Sequence, residues 1–279
     1  MQIPVYEKRG YLNEEYRLFH ISENGLPELN YHYHEFHKLL FLCDGNVGYS
    51  IEGKYYELKK NDMVIVPSGC VHRPETEENG LYSRYVLYIS PELLKEHSTS
   101  DTDLTSCFVN NGGAVHLAGD TLNRVQKILR EMEECDKDDF GSDIMCKSLV
   151  LQLMVILGRW LKEPWVSVEG IANDRKILEI LRYINENITE ELGIDALAER
   201  FYISKFHMMR RFRDETGYTV HTYVTNKRLL QARQLIASGE AATEVCFKCG
   251  FRDYSTFSRA YRKMFGVSPS GRRKTKSEG

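Results

Sequence analysis

Apolar and polar positions change period along the chain. Up to about residue 95, short apolar runs at 39–43, 47–51, 63–67 and 82–89 alternate with turn-forming clusters. Those clusters are Asp44-Gly45-Asn46, Glu52-Gly53-Lys54, Lys60-Asn61-Asp62 and Pro67-Ser68-Gly69. Runs of this length and spacing predict short strands in a small antiparallel barrel or sandwich. Residues 98–118 are polar and include Asn110-Asn111-Gly112-Gly113, which predicts a loop.

From Asp120 the period becomes helical. Leu122, Val125, Leu129 and Met132 share one stripe, and a second helix over 143–162 carries Ile144, Leu149, Leu153, Ile156 and Trp160. The second stripe is wide enough to be covered on more than one side. One face is expected on the barrel and the other on a second copy of the chain, with an intramolecular cap as the alternative. Residues 164–174 (PWVSVEGIAND) read as a linker. Beyond it the pattern is helical throughout, over 175–188, 194–201, 205–216, 220–237, 242–249 and 254–265, with a short turn after Pro269. Gly193, Gly217, Ser238-Gly239 and Gly250 punctuate these segments.

Composition sharpens this division. The chain has 279 residues, 42% apolar and 28% charged, which suits about two folded domains. Its net charge of −3 hides an imbalance of −10 over 1–173 and +7 over 174–279. A basic final third points to a polyanion. The longest apolar run, near 149–157, is broken by Gln152 and falls far short of the ~20 residues of a membrane span. The first residues, MQIPVYEKRG, hold no apolar stretch, and the seven cysteines are scattered. Together these predict a chain without membrane association, with reduced thiols, in the cytoplasm.

Two C-terminal segments about 50 residues apart share one layout. In the first, a short helix with Leu197-Ala198 leads through Tyr202-Ile203-Ser204 into a helix ending at Gly217. In the second, Val245-Cys246 leads through Gly250-Phe251 into a helix ending at Gly266. Each second helix offers an apolar i, i+4 pair to a core, Met208 with Phe212 and Phe257 with Tyr261. The opposite faces carry Lys205, Phe206, Met209, Arg210 and Arg213 in one, and Tyr254, Ser255, Ser258, Arg259, Arg262 and Lys263 in the other. Such a face suits the major groove, where arginine matches the guanine O6/N7 acceptors and outer cations meet phosphates.

The run GFRDYSTFSRAYRKMFGVSP (250–269) resembles the signature of AraC/XylS-type transcriptional regulators, and ISKFHMMRRFRDETG (203–217) resembles that family's first recognition helix. The resemblance covers about 175–275. It implies two helix-turn-helix units joined by a long helix and spaced to read successive major grooves on one DNA face. It assigns Phe206, Met209 and Arg210 to bases in the first unit, and Tyr254, Ser255, Ser258 and Arg259 in the second. Met209 departs from the polar residue common there, so base discrimination by the first unit rests mainly on Arg210. Cys246 and Cys249 form a CxxC with no second pair or histidine at zinc spacing, and read as core residues.

Near the N-terminus, Tyr31-His32-Tyr33-His34-Glu35-Phe36-His37-Lys38, followed about 30 residues later by Pro67-Ser68-Gly69-Cys70-Val71-His72, resembles the two half-motifs of a cupin barrel. Many regulators of this type carry such a sensor. In one strand, residues 32, 34, 36 and 38 face one way. By the resemblance His32, His34 and His72 take the histidine positions of metal-binding cupins, and Lys38 takes the glutamate position. His37 has the wrong parity to replace it. A protonated lysine cannot ligate a metal and its charge opposes one, which leaves a three-histidine site as the alternative. The expectation is therefore an effector pocket of His32, His34, Lys38 and His72 without metal or cofactor. It would hold a sugar or sugar acid, with Tyr31, Tyr33, Tyr49, Tyr55 and Tyr56 available for stacking.

The resulting reading is an α+β multidomain chain. Residues 1–97 form a cupin-like effector-binding barrel, 98–163 a loop and helices that pair two chains, 164–174 a linker, and 175–275 an all-α double helix-turn-helix domain. Its expected partners are double-stranded promoter DNA, a small-molecule effector, RNA polymerase and a second copy of the chain. Activation is the expected sign of regulation, the commoner one in the family. The alternative is a cupin-fold metal-dependent enzyme or metal sensor with an appended DNA-binding domain. Lys38 argues against it, as does the lack of any other acid–base or nucleophile constellation, so no catalytic residue is expected.

Overall fold

The unbroken apolar runs of the N-terminal half become strands buried on both faces. The computed structural model describes residues 12–25, 29–75, 80–108, 112–135, 138–166, 170–172 and 174–270. Two units divide the chain, Met1–Asn173 and Asp174–Gly279. In the first, the strands are β1 (Tyr16–Asn24), β2 (His37–Asp44), β3 (Val47–Ile51), β4 (Lys54–Leu58), β5 (Asp62–Val66), β6 (His72–Glu75), β7 (Leu81–Ile89), β8 (Gly113–His116) and β9 (Ile171–Ala172). Helices α1 (Pro91–Glu96), α2 (Gly119–Glu134) and α3 (Ser142–Trp160) complete it, with a 3-10 helix over Leu104–Phe108.

The strands form two antiparallel sheets, ordered β1-β7-β2-β5-β8 and β6-β3-β4-β9. Parity sorts the larger sheet into two faces. Leu40, Leu42, Val64, Val66, Val86 and Tyr88 meet Val47, Tyr49, Ile51 and Leu58 of the smaller sheet in one core. Leu39, Phe41, Met63, Ile65, Leu87 and Ile89 meet Val125, Leu129, Leu149, Val150 and Leu153 of α2 and α3 in the other. The middle helices therefore cap the larger sheet. On α3, Ile144 and Met145 stay exposed, at 70% and 60%.

Three local expectations change. Residues 98–118 are not simply a loop, because they hold the 3-10 helix and β8, whose Asp62↔His116 to Ile65↔Gly113 register extends the larger sheet; Asn110 and Asn111 lie outside the described residues. The 164–174 segment is not only a linker, since Ile171 and Ala172 pair with Tyr55 and Lys54. Its residues 167–169 and 173 lie outside the described set. Helix α1 interrupts the β zone, with Ser90 accepting from the Leu93 amide and Pro91 in the first turn.

The second unit comprises α4 (Arg175–Glu186), α5 (Ile194–Arg200), α6 (Lys205–Thr216), α7 (Val220–Ala237), α8 (Ala242–Lys248) and α9 (Tyr254–Phe265). Residues 271–275 of the expected DNA-binding domain lie outside the described residues. Ile177, Ile180, Leu181 and Ile184 give α4 a buried i, i+3, i+4, i+7 stripe. Leu229, Ala232, Val245, Cys246, Cys249, Phe257 and Tyr261 pack around the second half of α7. Cys246 and Cys249 are thus core side chains, 0% exposed and unbridged. Arg228 of α7 ties distant backbone together, donating to the carbonyls of Ile188 (2.7 Å), Gly250 (2.7 Å) and Glu190 (2.5 Å). Gly250 sits at φ +80°, where a Cβ would lie 2.4 Å from the Thr189 carbonyl oxygen, so this turn admits only glycine without rearrangement.

Candidate functional site

Between the two sheets the core is not closed. A cavity of about 650 Å³ lies there, lined by His32, His34, Lys38, Tyr49, Tyr82, Arg84 and Tyr88 among others. Its apolar wall comes from Phe19, Ile21, Leu40 and Val86. Lys38 reaches it because it shares the inward parity of Leu40 and Leu42 on β2. Arg84 reaches it because it shares that parity with Tyr82, Val86 and Tyr88 on β7.

The expected single strand through His32 and Lys38 is not what aligns these residues, since β2 begins only at His37. An isolated bridge does the work: His32 N–H donates to the His72 carbonyl (3.1 Å), and His72 N–H donates back (2.8 Å). The rings of His32 and His72 lie 4.3 Å apart, and His34 stands 5.0 Å from each. Phe36 stacks on His34 at 4.6 Å. His37 points the other way, stacked on Phe108 at 3.9 Å, with its pKa lowered by burial to about 3.

His72, expected in the effector pocket, is 0% exposed behind His32 and His34 and does not line the cavity. Burial lowers the pKa of all three histidines, with Lys38 as the second cause, and lowers it furthest for His34 and His72. Lys38 is itself 8% exposed and donates from Nζ to Tyr49 Oη at 3.0 Å. Burial, then Arg84, brings its pKa from 10.5 to about 7. Arg84 is 5% exposed, donates to the Tyr82 carbonyl (3.0 Å), stacks over the Tyr82 ring (3.8 Å) and stands 3.5 Å from Glu23.

Sequence reasoning missed Arg84, Tyr82 and Tyr88, which lie inside the 82–89 run read as a strand, and Glu23, which lies in a segment where no separate strand was expected. The usable signal was an arginine within the 82–89 run. Of the aromatics expected to stack on ligand, Tyr33 and Tyr49 line the cavity; Tyr31, Tyr55 and Tyr56 do not. Arg73 covers Tyr31 at 4.3 Å, while Tyr55 and Tyr56 pack over Gly48 and Gly170.

The second unit carries a repeated device. In α5–α6, Phe201 N–H donates to Leu197 O, Tyr202 to Glu199 O and Ile203 to Ala198 O. In α8–α9, Cys249 donates to Val245 O, Gly250 to Phe247 O and Phe251 to Cys246 O. Tyr202 and Gly250 occupy the same left-handed position, at φ 50° and 80°. Ser204 and Asp253 then cap the second helices, accepting from His207 N–H and Thr256 N–H. Gly217 and Gly266 end them at φ 73° and 74°.

Met208, Phe212, Phe257 and Tyr261 are buried, so each second helix turns its other face outward. Lys205, Phe206, Met209, Arg210 and Arg213 are exposed on α6, and Ser255, Arg259, Arg262 and Lys263 on α9. Ser258 is half-buried. So is Tyr254, which packs against Phe257 with centroids 5.8 Å apart. Lys205 is held by Asp195 at 2.8 Å, and Arg259 Nε donates to its own helix at Ser255 O (3.3 Å).

A cavity-bearing β domain followed by duplicated helix-turn-helix units defines a ligand-binding, DNA-binding regulator. The AraC-like ligand binding domain family matches residues 21–154, and a helix-turn-helix domain family matches 197–275. The chain belongs to the AraC-type family of transcriptional regulators. It is 26% identical over 256 residues to the HTH-type transcriptional activator RhaS of Escherichia coli O139:H28, covering 88% of this chain and 89% of that one. RhaS of Enterobacter sp. strain 638 is also 26% identical, covering 89% and 88%. Among solved structures, ToxT from Vibrio cholerae aligns over 92% of this chain and 97% of its own at 11% identity and a TM-score of 0.39. The DNA-binding domain of AdpA, solved with a target DNA, aligns over 33% and 83% at 33% identity and a TM-score of 0.32.

The buried lysine gives the first prediction. Below about pH 7 Lys38 is protonated in both states, and the cost of burying the charge is fully present. Between about 7 and 10.5 the unfolded chain holds the extra proton, so this group makes stability rise by up to about 1.4 kcal/mol per pH unit. Lys38→Met should therefore be more stable than wild type at neutral pH and below, with the advantage shrinking toward pH 10.5. Urea unfolding followed by the fluorescence of Trp160 and Trp165, both in this unit, reads it. A gain independent of pH would contradict the assignment.

Proposed function

We propose that the chain activates transcription when a small polar or anionic effector, of the sugar or sugar-acid class, occupies the cavity between the sheets. The observation that carries the DNA half is the repeated turn, which leaves two capped helices with basic outer faces. On this reading Phe206, Met209 and Arg210 meet bases from α6, and Ser255, Ser258 and Arg259 from α9 with Tyr254 at the edge. Lys205, Arg213, Arg262 and Lys263 meet phosphates. Activation is supported by the name of the RhaS relatives and implies RNA polymerase as a partner. The exposed Ile144 and Met145 on α3 support pairing of two chains there.

The cavity supports the effector half. Two cations, Lys38 and Arg84, face it against one carboxylate, Glu23, and the tyrosines offer ring faces and hydroxyls. An effector regulates only by binding one arrangement of the regulator more tightly than another.

Two measurements test these halves. On a site selected from random DNA, Arg259→Ala should cost about 1–3 kcal/mol and relax preference at one base position. Arg262→Ala should weaken all sequences alike and reduce the log–log salt slope by about one contact, or ~0.9. Identical behaviour of the two variants would reject the assigned face. In a thermal-shift panel, a sugar acid at 100 times its dissociation constant should stabilise the chain by about 2.7 kcal/mol. Lys38→Met should weaken that shift, and an undiminished shift would remove Lys38 from the site.

A further inference from the structure

The wall of the cavity carries one positive charge more than it balances. Arg84 is answered on three sides, by the Tyr82 carbonyl (3.0 Å), the Tyr82 ring (3.8 Å) and the Glu23 carboxylate (3.5 Å). Lys38 is not. Its ammonium holds three N–H donors, and its hydrogen bond goes to a neutral acceptor, Tyr49 Oη, at 3.0 Å. Of the described residues lining the cavity only Glu23 is acidic, and it stands beside Arg84. His32 and His34, whose pKa burial lowers, add no charge at neutral pH. A buried ammonium met by one hydroxyl costs stability until an anion joins it. Tyr82 Oη, on the same wall, is buried and has no hydrogen-bond partner either. Strand register separates the two ends of the site. Phe19, Val86 and Leu40 form one apolar row across β1, β7 and β2. Lys38 lies beyond that row on one side, opposite Tyr88, and Arg84 on the other, opposite Leu42. Glu23 opposes Tyr82, so it keeps to the Arg84 end.

We propose that the cavity selects a monocarboxylate, held by the Lys38 ammonium through its one negative charge, with its body along the Phe19–Val86–Leu40 row. This rests on the reading of the cavity as the effector site and narrows it by charge. A neutral sugar leaves Lys38 uncompensated. A dianion brings a second charge to an end where Glu23 already neutralises Arg84. A hydroxyl on the body satisfies Tyr82 Oη, and the apolar row accepts a ring face or hydrocarbon. Glu23 thus sets the charge of the ligand without touching its carboxylate. Removing its charge frees Arg84 and makes room for a second anionic group.

The test is calorimetric titration of the full chain at about pH 6, below the Lys38 value of about 7, where carboxylates are still ionised. Two series step the charge on a fixed kind of body. One is galactose, galacturonate and galactarate. The other is phenylacetamide, phenylacetate and para-phenylenediacetate. In the series that fits, the monocarboxylate should bind at least about tenfold more tightly than its neutral twin and its dianion. The winning series names the body, hydroxylated or apolar. Glu23→Gln should shift preference toward the dianion, and Lys38→Met should erase the preference for the acid over its neutral twin. If Lys38→Met does not fold, the wild-type order and Glu23→Gln decide. A neutral twin or a dianion that binds wild type as tightly as the monocarboxylate would overturn the inference and leave the effector reading standing. So would an unchanged preference in folded Glu23→Gln. No binding by any member at millimolar concentration would sink both.

Discussion

The second helix of each helix-turn-helix unit depends on one tight turn whose central residue adopts a left-handed backbone. That turn sets the angle at which the second helix leaves the first and decides which face is buried. In the α8–α9 unit the constraint is steric: the Thr189 carbonyl oxygen leaves no room for a side chain at Gly250. In the α5–α6 unit Tyr202 takes the same conformation, and its side chain escapes to solvent at 95% exposure. Once the turns are set, Phe212 packs edge-on against Tyr223 at 5.4 Å and Phe257 against Tyr261 at 5.6 Å. The arginines opposite those rings have nowhere to go but outward. Arg228, bonded to three carbonyls, holds the second turn to the segment after α4.

The β unit is governed by a different balance. The larger sheet is packed on both faces, and a cavity stays open between it and the smaller sheet. Burying Lys38, Arg84 and three histidines there costs stability unless each finds a partner. Tyr49, the Tyr82 carbonyl, Glu23 and the carbonyls of Asn30 and Cys70 meet much of that need. His72 Nε2 is left without a hydrogen-bond partner. A protein that retains such groups in a core is more easily explained by a ligand than by packing, because apolar residues of the same volume would be the more stable filling.

How much of this was legible in the sequence depended on the strength of the local pattern. The helices of the second unit follow a 3.6-residue period with glycines at their ends, and each appears within a residue or two of its expected bounds. Val47–Ile51 appears as expected because turn clusters flank an apolar run. β1 was invisible because YRLFHISEN is half-exposed along its length and mixes residue types. β8 and β9 are four and two residues long and exist only through pairing with β5 and β4, information no local window holds. The histidines were found through a resemblance, and the strand parity invoked to align them does not apply at 32–34. A bridge to β6 aligns them, which depends on a contact 40 residues away in sequence. Arg84 was hidden for the same reason, since only the neighbouring strands show that its side of β7 faces a cavity.

The central claim is that a single chain reads DNA with two helices built on one plan. Hydroxyl-radical footprinting of the full chain on a site selected from random DNA tests it most directly. Each bound chain should protect two patches on one face of the duplex, about one turn or roughly 34 Å apart. A single protected patch per chain, with the neighbouring turn fully cleaved, would contradict it.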